Sequence, residues 1–169
     1  MSQNYALSSK IKIACGHGKP SSVKKHIGFY TTYSRFILKA LKKASFQDFL
    51  YQMLLSECIE EKTVNTIDIS VFPDITKNGL NVVGRCNPFR GSIRIYPKNF
   101  YFCDTLRKKQ GKEMLYAFVG NRARAALIHE LLHLKYVSDE AKVRELTDTY
   151  FCVYSKTHIG KNPVLLYSL

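Results

Sequence analysis

Ala125-Ala126-Leu127-Ile128-His129-Glu130-Leu131-Leu132-His133-Leu134 is the stretch from which the rest of the chain is best read. Alanine and leucine favour helix, and so many apolar positions predict a helix with a broad buried surface. Helical residues four apart lie one above the other on the same face. His129 and His133 can therefore reach one ion from a single rigid element. Glu130 is turned about 100° further round the helix, beside such an ion rather than beneath it. Unpaired buried polar groups cost roughly 1–3 kcal/mol each, so a buried helix does not carry two imidazoles and a carboxylate without partners. A metal ion partners all three. H-E-x-x-H on a helix is a zinc-site pattern, with the histidines as ligands and the glutamate as general base towards a metal-activated water.

A catalytic zinc takes a third protein ligand. Val137-Ser138 is expected to end the motif helix, with Ser138 capping the next one. On the wheel of that last helix, Val143, Leu146 and Tyr150 define the inward face. Asp139 and Glu140 fall on or beside this face within the first turn, and Glu145 points almost the opposite way. Glu140 is therefore expected as third ligand, ahead of Asp139 and then Glu145. Compensation of the helix dipole accounts for whichever acid is not a ligand. A purely structural zinc would need a fourth ligand, which Cys152, His158 or Asp139 would have to supply. Cys15-Gly16-His17 lacks matching partners elsewhere.

Outward from the motif, Phe46, Phe49, Leu50, Met53, Leu54 and Cys58 keep helical spacing, so this face is read as core. Ser45 and Asp48 before them suggest a capping box. Thr32 to Lys43 is expected to form a basic helix, and Lys10 to Ala14 a short strand. The period then becomes two. Ile67 to Val71, Leu80 to Arg85 and Ser92 to Tyr96 are expected as three short strands in a hairpin-rich antiparallel sheet, separated by Pro73-Asp74, Lys77-Asn78-Gly79 and Asn87 to Gly91. The motif helix is expected to begin near Leu115 or Asn121 and run to about Tyr136. The last helix should cover Asp139 to Tyr154.

The chain has 169 residues, 46% of them hydrophobic, which suits one folded domain and argues against disorder. No run of about eighteen apolar residues occurs, so no membrane span is expected. Met1 to Ser9 lacks the apolar core of a secretion signal, which points to a cytoplasmic protein. The five cysteines form no C-x-x-C pair. Charge is lopsided: of a net +13, nine positive charges fall in the first 44 residues, where no acid occurs. This basic segment, residues 1–44, is expected as an arm plus helix of the same domain as residues 45–169. With Tyr30, Tyr33 and Phe36 interleaved, it is a candidate for nucleic-acid contact.

The run from Ser92–Tyr96 through His129-Glu130-Leu131-Leu132-His133 to the acidic helix start resembles the zincin metallopeptidases, specifically small gluzincin-like enzymes with a downstream glutamate ligand. The resemblance covers about residues 64–155. It implies an α+β fold: a small antiparallel or mixed sheet of three to four strands packed on an N-terminal helix, the motif helix and a C-terminal helix. It implies zinc on His129, His133 and Glu140, with Glu130 as catalytic acid/base in peptide-bond hydrolysis. It also implies an edge strand binding a peptide or protein substrate by strand addition, here Ser92, Ile93, Arg94, Ile95 and Tyr96. Tyr136, Tyr150, Tyr154, His158 and Arg144 are candidates to steady the oxyanion. Arg144 stands four residues after Glu140, where larger gluzincins place an aspartate. The alternative is a nucleic-acid-associated zinc protein that uses residues 1–44, acting on bound proteins or only binding.

Overall fold

The computed structural model describes residues 12–15, 25–76 and 78–158. Their α+β architecture follows from two periodicities in the sequence. The strands are β1 (Lys12–Cys15), β2 (Thr66–Ile69), β3 (Asp74–Ile75), β4 (Asn81–Val82), β5 (Gly84–Asn87) and β6 (Ser92–Ile95), with apolar alternation clearest in β2 and β6. Where apolar residues recur every three or four positions, helices form: α1 (Ile27–Leu41), α2 (Ala44–Ser56), α3 (Phe100–Gln110), α4 (Lys112–Tyr136) and α5 (Glu140–His158).

The main sheet has the order β1-β2-β6-β5, and β3 with β4 makes a separate two-stranded sheet. β1, β2 and β6 run parallel, and β5 pairs antiparallel with β6. The expected hairpin-rich antiparallel sheet is thus corrected to a mixed one. Helices α1 and α2 separate β1 from β2, and a parallel pair needs a crossover of that length. Ile67, Ile69, Ile93 and Ile95 point to the helical side, all at most 1% exposed, while Asp68 and Arg94 take the other face. A one-residue slip would expose all four isoleucines, so burial fixes the register.

The 25-residue helix α4 crosses this apolar face. Buried residues occur on every side of it, from Phe118 to Leu132, as expected for a helix enclosed by other elements. Helices α1 and α5 pack along it, and Tyr33, Ile37 and Leu41 of α1 join the same core. Each fully buried leucine or isoleucine contributes about 1.5–3 kcal/mol.

Several local expectations change. Helix α2 starts at Ala44 after Lys43, with no side-chain cap, so the Ser45–Asp48 capping box does not form. Cys58 lies beyond the helix at φ 54, exposed rather than in the core. Asp139, not Ser138, caps α5, accepting from Lys142 N at 3.0 Å. Helix α3, with its Asn99 cap, was not foreseen. The Gly16-His17 half of the Cys15 motif lies outside the described residues, as do most of residues 1–24. No helix among the described residues is long and apolar enough to cross a membrane.

Candidate metal centre

His129 and His133 face the same side of α4, with Nε2 atoms 3.2 Å apart. Glu140, in the first turn of α5, brings Oε1 to 3.6 Å from His129 Nε2 and Oε2 to 3.3 Å from His133 Nε2. Among the described residues, these three alone form a cluster with metal-ligand chemistry. The turn Val137–Asp139 makes the approach possible by reversing the chain so that α5 returns along α4. Val137 adopts φ 34 there, a conformation a β-branched residue rarely takes.

Hydrogen bonding assigns the tautomers. Val137 O can only accept, so His133 Nδ1, 2.9 Å away, carries the proton. Thr147 spends its own proton on Val143 O at 2.7 Å. Its oxygen, 3.4 Å from His129 Nδ1, is left to accept from that ring. Both Nε2 atoms therefore present bare lone pairs, and their 3.2 Å approach is no hydrogen bond between neutral rings. Two lone pairs and a carboxylate converging on one point repel unless a cation lies between them. Ligands about 2.05 Å from a tetrahedral zinc stand about 3.3–3.4 Å from one another, close to the spacings of 3.2, 3.3 and 3.6 Å here. The donor set fits zinc, and partners on Nδ1 are what orient metal-binding imidazoles.

The electrostatics agree with that assignment. Burial lowers the His129 pKa, outweighing the opposing pull of Glu140, and so favours the neutral ligand form. Burial would raise the Glu140 carboxyl, but Arg144 and both histidines hold it below its ordinary value. Arg144 Nε donates to Glu140 Oε1 at 2.7 Å. The side chains of His129, His133 and Glu140 are 15%, 17% and 49% exposed, so solvent reaches the cluster.

Glu130 lies to one side, 6% exposed and packed against the edge strand. A Cβ at Gly84 would fall 2.6 Å from Glu130 Oε1 and 2.7 Å from its Cγ, so only glycine lets β5 close on this carboxylate. Burial first, then the negative charge of Glu140, pushes Glu130 up to about 7, against a smaller opposing effect of Arg85. A carboxylate in that range is matched to proton transfer near neutral pH. Cys86, on the same face of β5, has a thiol pushed up to about 12 by burial and by Glu130, which disfavours the thiolate needed for metal binding.

Other expected site residues are not brought together. β6 is hydrogen-bonded on both sides, to β2 and β5, so Ser92, Ile93, Arg94, Ile95 and Tyr96 cannot accept an added strand. The edge beside Glu130 is β5. Tyr136 and Tyr150 turn away to donate to Glu57, at 2.7 and 2.5 Å. Tyr154 is fully buried, and His158 stacks on it at 4.7 Å. Of the proposed oxyanion donors only Arg144 borders the cluster. Asp139 is committed to its cap, and Glu145 pairs with Lys142 at 3.1 Å. Thr147 and Gly84 were missed. Thr147 was legible on the wheel, four residues after Val143, whereas no local signal marks Gly84.

Comparison with protein families, curated proteins and solved structures finds no match.

Proposed function

We propose that the chain is a zinc-dependent metallopeptidase of zincin type, close in plan to the small gluzincins, with His129, His133 and Glu140 holding the metal. The observation that carries this reading is the pairing of two bare Nε2 atoms and a carboxylate with a second, buried carboxylate beside β5, the last strand of its sheet among the described residues. A structural site has no use for Glu130 at that position, and no fourth ligand joins the cluster among the described residues.

Zinc in such a set lowers the pKa of water towards 7 and polarises a carbonyl. The chain's own groups supply the rest. Glu130 takes a proton from the attacking water on its carboxylate oxygen and returns it to the leaving amine. The outer side of β5, from Gly84 to Asn87, pairs with no strand among the described residues and offers backbone groups to an extended peptide by strand addition. Thr147 and the Val137 carbonyl keep the imidazole rings aimed, and Arg144 fixes Glu140.

The test compares wild type with Glu130→Gln on a peptide library after zinc loading. Wild type should cleave, and the variant should bind zinc equally well while losing about 10²–10⁴-fold in rate. Equal cleavage by both, or none by the zinc-loaded wild type on any peptide, would refute the reading.

A further inference from the structure

Tyr30 and Tyr33, expected to stack on bases, are 5% and 3% exposed and belong to the core. Only Phe36 of that trio reaches outward, and it leads to a different surface. A cavity of about 350 Å³ opens between α1, α3 and the start of α4. Phe29, Tyr33, Phe36, Phe100 and Tyr116 give it aromatic walls, with Leu115 and Val119 beside them. Phe36 stacks on Tyr116 with centroids 4.2 Å apart, and Phe29 meets Phe100 edge-on at 5.1 Å. Arg107 and Lys112 also line it.

The surrounding charge is predominantly positive. Residues 98–113 hold Lys98, Arg107, Lys108, Lys109 and Lys112 against the two acids Asp104 and Glu113. Asp104 is shared by Arg107 and Lys108, each at 2.7 Å. Lys112 has no ion-pair partner among the described residues, and its Nζ stands 5.6 Å over the Tyr116 ring. On α1, exposed Arg35 and Lys39 flank Phe36 in sequence, and helix α1 contains no acid. The cavity is therefore an aromatic slot rimmed by cations, on the opposite reach of α4 from the histidines.

We propose that this slot binds single-stranded nucleic acid, one base entering between the aromatic walls while the neighbouring phosphates lie on Lys112 and Arg107. A base stacked on an aromatic ring contributes about 1–3 kcal/mol whatever its identity, and cations along the rim track the backbone. The shape selects against duplex, whose bases are already stacked and present no free face. The charge selects for a polyanion over a neutral aromatic ligand. The site is independent of the metallopeptidase reading, since none of its residues touches the cluster of His129, His133 and Glu140.

The experiment uses the full chain and a short oligothymidine containing one 2-aminopurine, followed by polarisation and by 2-aminopurine fluorescence across a salt series. Wild type and Glu130→Gln should bind alike, with a fluorescence change on saturation. The double variant Arg107→Ala/Lys112→Ala should bind at least about tenfold more weakly at low salt. Loss of two phosphate contacts should also flatten its log–log salt slope by about 1.4. Gly28→Leu adds bulk to the slot's lining at a position where a Cβ meets nothing within 4 Å, and thermal unfolding of this variant should match wild type. This variant should abolish the 2-aminopurine response, and Lys156→Ala, on α5, should change nothing. Unaltered affinity and slope in the double variant would overturn the proposal, as would a silent 2-aminopurine at saturation. So would duplex, a mononucleotide or anionic vesicles binding as tightly as the oligonucleotide.

Discussion

Replacing Gly84 with alanine adds one methyl group at the point where β5 meets Glu130. The new Cβ would lie 2.6 Å from Oε1, 2.7 Å from Cγ and 2.9 Å from Cδ, whereas ordinary contact begins at 3.4 Å. The carboxylate must therefore retreat by about 0.8 Å, and the strand cannot yield instead without breaking its ladder to β6. A misplacement of about 1 Å costs on the order of 10² in rate for a group that must meet its proton in line. The three atoms nearest the new methyl all belong to Glu130, so His129, His133 and Glu140 are expected to keep their places. The variant should lose about a hundredfold in kcat/KM on a peptide substrate while zinc affinity, read by competition with a chromophoric chelator, stays within about twofold. Thermal unfolding should show a folded protein. Full activity in this variant would mean that Glu130 does not act from its observed position. Loss of zinc together with activity would mean that the strand, not the carboxylate, had moved.

Three further outcomes follow from the same geometry. Zinc added to stripped protein at about a hundred times its dissociation constant should stabilise the fold by about 2.7 kcal/mol, seen in calorimetry as a rise of about 5–10 °C; His133→Ala should abolish the shift, and a shift that survives it would refute the site. Thr147→Val keeps shape at a position 1% exposed but removes the acceptor for His129 Nδ1, so zinc affinity should fall about 10–100-fold by competition titration, and an unchanged value would remove Thr147 from the centre. Glu57 is 7% exposed and accepts from Tyr150, Tyr136 and Lys135; burial acts to raise its carboxyl, but these bonds outweigh that and hold it below the usual value. A folded pKa below the unfolded one means stability that is present above the unfolded pKa and lost as pH falls through the folded one. Glu57→Gln should therefore cost about 2–3 kcal/mol at pH 7 in urea unfolding, and the gap to wild type should close below about pH 4; a gap that widens in acid would show the sign to be wrong.

How much was legible differs from element to element. β2, β6 and the face of α2 were readable because the alternation of Ile67 and Ile69 and the spacing of Phe46, Leu50 and Met53 are local patterns that burial enforces. Helix α4 extends back to Lys112, beyond its expected start, and α3 was missed because Phe100 to Gln110 is polar on average and buries only Cys103 and Leu106. The capping box at Ser45 failed since α2 begins two residues earlier than that cap implies, at Ala44 after Lys43, leaving Ser45 inside the first turn. Tyr30 and Tyr33 read as free stacking residues only while their burial beneath α4 and α3 was unknown.

Helical periodicity alone placed His129 over His133 and turned Glu130 aside, because four residues make close to one turn whatever surrounds them. The wheel likewise chose Glu140 over Glu145, since phase along a helix is a local property. Which strand forms the edge, how closely Gly84 admits a carboxylate, and which groups hold each imidazole proton depend on segments far apart in the chain. Those are matters of three-dimensional closure: β5 lies beside Glu130, and Thr147 beside His129, only after the sheet and α5 have packed on α4.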